Sequence, residues 1–342
     1  GLEGITPKPT NFQKAIAETR RYDEDIQRRA EKSADAAAIL ESLAVEDGCR
    51  AADVCRPVHE ATGGDDGFVS IEVRPELARD TEGSIVEARR LWKECRRPNV
   101  MVKIPATSEG IAAIHRCLFE GININITLLF SVSRYRQVMD AYLGAMEERV
   151  AAGQPVSNIR SVASFFVSRV DSNADKKLDS VAKAATRSDA ARQLAHDLRG
   201  KVAIANARIA YEAFEKTFQA PRFERLREKG GRLQRPLWAS TSTKDPSYPD
   251  LYYVEALIAP NSVDTMPPET FQAYRDHGDP KIRIHDDLVD AHSTFRSLAD
   301  LGIEEEQISR ELEEEGARKF SEAIRKILSA IEEKEQSIRV AR

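Results

Sequence analysis

A chain of 342 residues, 41% of them hydrophobic and 31% charged, can bury a large core, and β/α barrels of this size commonly form one domain, so residues 1–342 are expected to make one domain rather than two. The formal net charge is −5 with both signs interleaved throughout, which leaves no basic footprint for nucleic acid and no polybasic surface for a membrane, and points to small-molecule partners. No apolar run approaches the roughly 18 residues needed to span a bilayer, and the opening residues lack a basic-then-apolar secretory pattern, so a soluble, cytoplasmic protein is expected.

In chain order, residues 12–60 carry apolar side chains at helical spacing between charged ones, and "GFVSIEV" (67–73) then reads as a strand. The helix "TEGSIVEARRLWKEC" follows, then the strand "NVMVKIPA", the exit loop Thr107-Ser108-Glu109-Gly110, the helix "SEGIAAIHRCLFEG", the strand "ININITLLF" and the helix "VSRYRQVMDAYLGAMEERVAAG". The next strand is "IRSVASFFVSRV" (159–170). Helices run from there to about residue 230, followed by the strand "RPLWASTST" (235–243), the helix "PDLYYVEALIAP" and a short strand "NSVDTMP" (261–267). Everything from about 268 to 342 reads as helices packing on what precedes. Strands alternating with helices predict parallel β/α units, an α/β fold of TIM-barrel type with additional helices.

Successive strand side chains point to opposite faces. Glu72 therefore shares a face with Phe68 and Ser70, and Lys103 with Met101 and Pro105. Asn123, Asn125 and Thr127 line one face of their strand while Ile122, Ile124 and Ile126 line the other. In a parallel sheet coated by helices the hydrocarbon side meets the helices, and the polar side faces the barrel interior toward the strand C-terminal ends, where barrel enzymes keep their chemistry. Lys103 is thus expected inside the barrel, facing Glu72 and Asn125.

A lysine so placed is costly unless it is used. Desolvation disfavours the ammonium, and a neutral amine attacks a ketone or aldehyde; a carboxylate within reach then shuttles the protons of carbinolamine and imine chemistry. The alternative left open by the residues alone is a purely structural Lys103–Glu72 ion pair. Cys49, Cys55, Cys95 and Cys117 form neither a CxxC pair nor a dense framework and read as reduced thiols without assigned chemistry. The six histidines lack metal-ligand spacing; no metal is expected.

"VMVKIPATSEGIAAI", "EGININITLLFS" and "SVASFFVSRVDS" resemble the motifs of transaldolases, class I Schiff-base aldolases of the non-oxidative pentose phosphate pathway, and "RPLWASTSTKDPSYPDLYYVEALI" and "NSVDTMPPET" resemble the longer bacterial form. The resemblance runs from about residue 4 into the C-terminal helices. It implies a (β/α)8 barrel, with Lys103 as the Schiff-base lysine, Glu72 as the proton-shuttling glutamate, and Thr127 holding the catalytic water. Asn125 would contact substrate hydroxyls, Ser164 and Arg169 would bind the sugar phosphate, and Phe166 would line the same pocket. Arginine's forked donor suits phosphate oxygens. Taken singly, Arg169 could instead pair with Asp171 or a helix end, Thr127 could be β-branched packing, and Phe166 core.

The resemblance implies transfer of a dihydroxyacetone unit from sedoheptulose 7-phosphate or fructose 6-phosphate to an aldose phosphate, with no cofactor. Its alternatives are a fructose-6-phosphate aldolase-like lyase and a non-catalytic sugar-phosphate-binding relative. Whether the protein is a homodimer or a monomer is left open. Two features depart from the family pattern. The first barrel strand with its general-acid aspartate is expected to be absent, because the chain opens at "GLEGITPKPTNFQKAI" without an initiating Met, which suggests a fragment or a mis-set start; and Lys8 stands where a substrate-holding asparagine is expected. Ser240, Ser242 and Lys244 stand where shorter members place a second phosphate-binding arginine, with Lys244 as a point-charge substitute.

Overall fold

The alternation of β-branched runs with amphipathic helices yields parallel strands joined by helical crossovers. The computed structural model describes residues 4–6, 9–31 and 35–340, without the side chains of residues 9–11 and 337–340. The strands are β1 (Gly4–Ile5), β2 (Phe68–Glu72), β3 (Val100–Pro105), β4 (Ile124–Leu129), β5 (Ser161–Phe166), β6 (Gln234–Ala239) and β7 (Val263–Thr265). They lie side by side in chain order, every pair parallel. Among the described residues β1 and β7 are the two edges of this sheet, and the Thr6 and Thr265 hydroxyls that follow β1 and end β7 are hydrogen-bonded at 2.6 Å. The result is a nearly closed α/β barrel of TIM type.

The helices are α1 (Pro9–Glu18), α2 (Asp23–Ala30), α3 (Ala36–Ala61), α4 (Thr81–Cys95), α5 (Ser108–Phe119), α6 (Val132–Ala151), α7 (Ser168–Lys183), α8 (Asp189–Leu198), α9 (Val202–Phe218), α10 (Pro221–Arg227), α11 (Tyr252–Ala256), α12 (Pro268–His277), α13 (Leu288–Asp300) and α14 (Glu305–Val340). Several begin on side-chain caps that satisfy otherwise orphaned amides: Asp80 accepts from Gly83, Thr107 from Gly110 and Ser131 from Arg134. The Thr107 cap turns the chain directly out of β3. Gly110 is required there, since a Cβ would sit 2.0 Å from the Pro105 carbonyl oxygen.

Two cores follow the strand parity. Val69, Ile71, Val100, Val102, Ile104, Ile124 and Ile126 pack outward on the helices, whereas Phe68, Met101, Val162, Leu237 and Ala239 form a separate cluster inside the barrel. A third cluster joins Ile16, Ile26 and Ile39 to Ile327 and Ile331 of α14.

The expected strand over 159–170 stops at Phe166, and the chain is helical from Ser168, so Arg169 lies in the first turn of α7 rather than on a strand. The Ser168 amide donates to the Ser240 carbonyl, which ends the ladder. Likewise β6 stops at Ala239 because Ser240 takes φ 60°, outside the extended region. The helical tract expected over 12–60 divides into α1, α2 and α3, and the C-terminal tract is interrupted between His277 and Leu288, a stretch that includes Pro280.

Candidate active site

β2, β3 and β4 put their polar residues in register: Glu72 pairs with Lys103, Lys103 with Asn125, and Pro105 with Thr127. Lys103 Nζ donates to Glu72 Oε2 at 3.1 Å, and the two side chains are 14% and 15% exposed, which rules out a surface lysine. The ion pair exists, in the interior rather than at an edge.

Asn125, fully buried, is held on both sides: its Nδ2 donates to Ser70 Oγ at 2.9 Å and its Oδ1 accepts from Ser164 Oγ at 2.7 Å. This row of hydrogen bonds runs across the interior from β2 to β5 and fixes the amide's orientation beside Lys103. Thr127 is buried, and its hydroxyl has no hydrogen-bond partner among the described residues. A buried hydroxyl without a partner costs about 1–3 kcal/mol, which a water or substrate oxygen at that point would recover. The residue after it, Leu128, has φ 59° in the left-handed region, and the β4–β5 register shifts between Ile126 and Leu129.

Arg169 stacks its guanidinium over Phe166, Cζ lying 5.1 Å from the ring centroid. It does not pair with Asp171, whose carboxylate accepts instead from the Ala203 amide at 2.7 Å and the Tyr253 hydroxyl at 2.8 Å. Among the described residues Arg169 makes no hydrogen bond or ion pair. Burial lowers its pKa, with the more distant Glu315 opposing, yet an arginine remains cationic at neutral pH. A partly buried cation with no directly paired carboxylate among the described residues has donors left over for an external anion. Phe166 leans on Phe130 with centroids 5.2 Å apart.

The long helix α14 crosses this end of the barrel. Glu305 accepts from the Val132 amide at the start of α6, Glu311 from Asn173 and Lys177 on α7, and Gly316 lies over Leu128 and Arg169. Ser240 Oγ lies 3.2 Å from Ser168 Oγ, while Lys244 is exposed and donates to Ser242 Oγ at 2.7 Å. Lys8 lies outside the described residues.

The structure thus brings Glu72, Lys103, Asn125 and Ser164 together inside the barrel, and sets Phe166 and Arg169 against each other at the rim. Sequence reasoning missed the parts played by Ser70, Leu128 and Gly316. Ser70 shares the parity of Glu72 and was within reach of that signal; a left-handed leucine and a glycine in a charged helix carry none.

The family profile described as transaldolase/fructose-6-phosphate aldolase matches residues 1–331. The chain is 47% identical over 331 residues to a transaldolase of Acidothermus cellulolyticus, an alignment covering 96% of this chain and 86% of that protein. It is 46% identical over 331 residues to the transaldolases of Saccharopolyspora erythraea and Thermobifida fusca, in each case covering 96% of this chain and 87% of the relative.

Proposed function

Because the chain belongs to the transaldolase/fructose-6-phosphate aldolase family, we propose that it is a transaldolase of the non-oxidative pentose phosphate pathway, working in the cytoplasm as one domain on sugar phosphates. The observation that carries the reading is the Lys103–Glu72 pair at 3.1 Å inside the barrel. Transfer of a proton from Lys103 to Glu72 leaves a neutral amine, which attacks the C2 carbonyl of a ketose phosphate. Glu72 returns that proton to the carbinolamine oxygen, which departs as water and leaves the iminium.

With the iminium nitrogen as electron sink, the C3–C4 bond breaks, the C4 hydroxyl proton passes through water to the Glu72 carboxylate, and an aldose phosphate is released. The enamine left on Lys103 adds to the acceptor aldehyde, and hydrolysis of the new imine frees the product. Thr127 holds the water of these steps through a hydroxyl that has no partner among the described residues, and Asn125, locked by Ser70 and Ser164, meets the sugar hydroxyls. Arg169, with Ser164 and the Phe166 wall, takes the phosphate. This chemistry needs no cofactor.

Borohydride reduction in the presence of fructose 6-phosphate tests the reading: a stable adduct is expected on the tryptic peptide carrying Lys103 and absent in Lys103→Ala. An adduct on another lysine, or none in an active preparation, overturns it. Release of free dihydroxyacetone at the transfer rate without an acceptor would mark a lyase instead, and no adduct with retained sugar-phosphate binding would mark a non-catalytic relative.

A further inference from the structure

Of the four cysteines, two approach each other. Cys49, midway along α3, places its Sγ 3.0 Å from the Sγ of Cys95, the last residue of α4. Cys95 is fully buried and Cys49 only partly so, which makes Cys49 the more accessible residue of the pair. Cys55 and Cys117 are buried and have no such neighbour among the described residues. The backbone at Cys95 is held in place by Arg97, whose Nη1 donates to the Cys95 carbonyl at 2.9 Å while its Nη2 pairs with Asp53 of α3 at 2.8 Å. An ionic strap therefore already joins α3 to the chain beyond α4 beside the two thiols.

We propose that Cys49 and Cys95 are a dithiol that peroxide closes into a disulfide, covalently pinning α3 to the end of α4. The partly buried Cys49 sulfur, the more accessible of the two, attacks one oxygen of hydrogen peroxide, the O–O bond breaks, and a sulfenic acid and one water result. The Cys95 sulfur then displaces the sulfenic oxygen, forming the S–S bond and releasing a second water that carries the remaining thiol proton. Two electrons pass from the sulfurs to the peroxide oxygens. Burial raises the pKa of the Cys95 thiol and so disfavours it as the sulfur that meets peroxide first; its 3.0 Å approach to Cys49 is what serves the second, intramolecular step.

The bridge would close a loop between positions 46 residues apart that contains the whole of β2 and its Glu72. Its anchor lies next to Gly48, where helix and strand touch so closely that a Cβ would sit 2.5 Å from Ile71 Cδ1. The modification is independent of the aldol chemistry, and it acts through the stability of the elements that carry Glu72 and Lys103.

Trypsin places the four cysteines on separate peptides, 33–50, 51–79, 94–96 and 117–134. After treatment of the full chain with hydrogen peroxide, mass spectrometry is expected to find 33–50 joined to 94–96 with the loss of two hydrogens, reversed by dithiothreitol and absent in Cys49→Ser. In Cys95→Ala, dimedone should trap the sulfenic acid on Cys49. The oxidised protein should melt roughly 2–5 °C above the reduced one, and Cys49→Ser should abolish that difference. Oxidation of Cys49 with Cys95 left free, a bridge between two chains, or a disulfide that leaves the melting temperature unchanged would each overturn the proposal.

Discussion

Arg169 is the residue whose surroundings most plainly await a ligand: a guanidinium stacked on Phe166, partly buried, with no hydrogen bond or ion pair among the described residues. A charge-assisted hydrogen bond to a dianion is worth about 1.5–3 kcal/mol, so Arg169→Ala should raise KM for phosphorylated sugars roughly 10–100-fold. The KM for unphosphorylated dihydroxyacetone should move far less. Steady-state kinetics with both substrates checks this, and an equal loss on both would assign Arg169 to folding. In the proposed reading, the Lys103 trap and this experiment address opposite ends of one substrate: the carbonyl at the pair inside the barrel, the phosphate at the rim. That Lys103 faces Glu72 was legible because a strand has a two-residue period and the polar residues of three strands shared one parity. That Arg169 belongs to α7 was not. "SFFVSRV" continues the aromatic and β-branched pattern past Phe166, and only the hydrogen bond from the Ser168 amide to the Ser240 carbonyl, 72 positions away, ends the strand.

At the scale of elements, α14 decides what closes the barrel mouth. Its charged, helical character is plain in the sequence, but nothing there says which strands it crosses, since that depends on contacts made at long range. Gly316 marks the crossing. A Cβ there would meet Leu128 Cδ2 at 2.8 Å and lie 3.8 Å from Arg169 Nη1, and Leu128 is already held at φ 59° beside Thr127. Gly316→Ala gains about 1 kcal/mol of helix propensity and loses about 1–3 kcal/mol to overpacking, so global stability should change little. The displaced Leu128 should disturb both Thr127 and Arg169. The expected outcome is a several-fold lower kcat/KM for sugar phosphates at nearly unchanged melting temperature, restored in part by Leu128→Ala in the same chain. A large fall in melting temperature, or a double variant no better than the single, would show that the close approach serves packing alone.

Across the whole molecule, α7, α9 and α11 are tied together by carboxylates rather than by apolar contact alone, and this gives the fold a pH dependence. Asp171 receives the Ala203 amide and the Tyr253 hydroxyl, and Asp175 receives the Gly200 amide at 3.1 Å and the Tyr248 hydroxyl at 2.9 Å. Burial is the dominant influence on Asp171 and pushes its pKa up to about 7, against the opposing pull of the Ala203 amide; burial also raises Asp175. In the unfolded chain an aspartate titrates near 3.9. Folding thus favours the protonated form of Asp171, and the stability this group contributes is full below about pH 4 and is lost as the pH rises through about 7. Asp171→Asn keeps an acceptor oxygen for the Ala203 amide, turns an amide donor toward the Tyr253 oxygen, and carries no charge at any of these values. Urea unfolding of both proteins from about pH 5 to about pH 7.5 should show the original chain losing about 2 kcal/mol more than the variant over that interval. The gap between the two curves should open as the pH rises and flatten above about pH 8. Parallel curves would mean that Asp171 is already ionised at the lower end, with its two donors outweighing its burial.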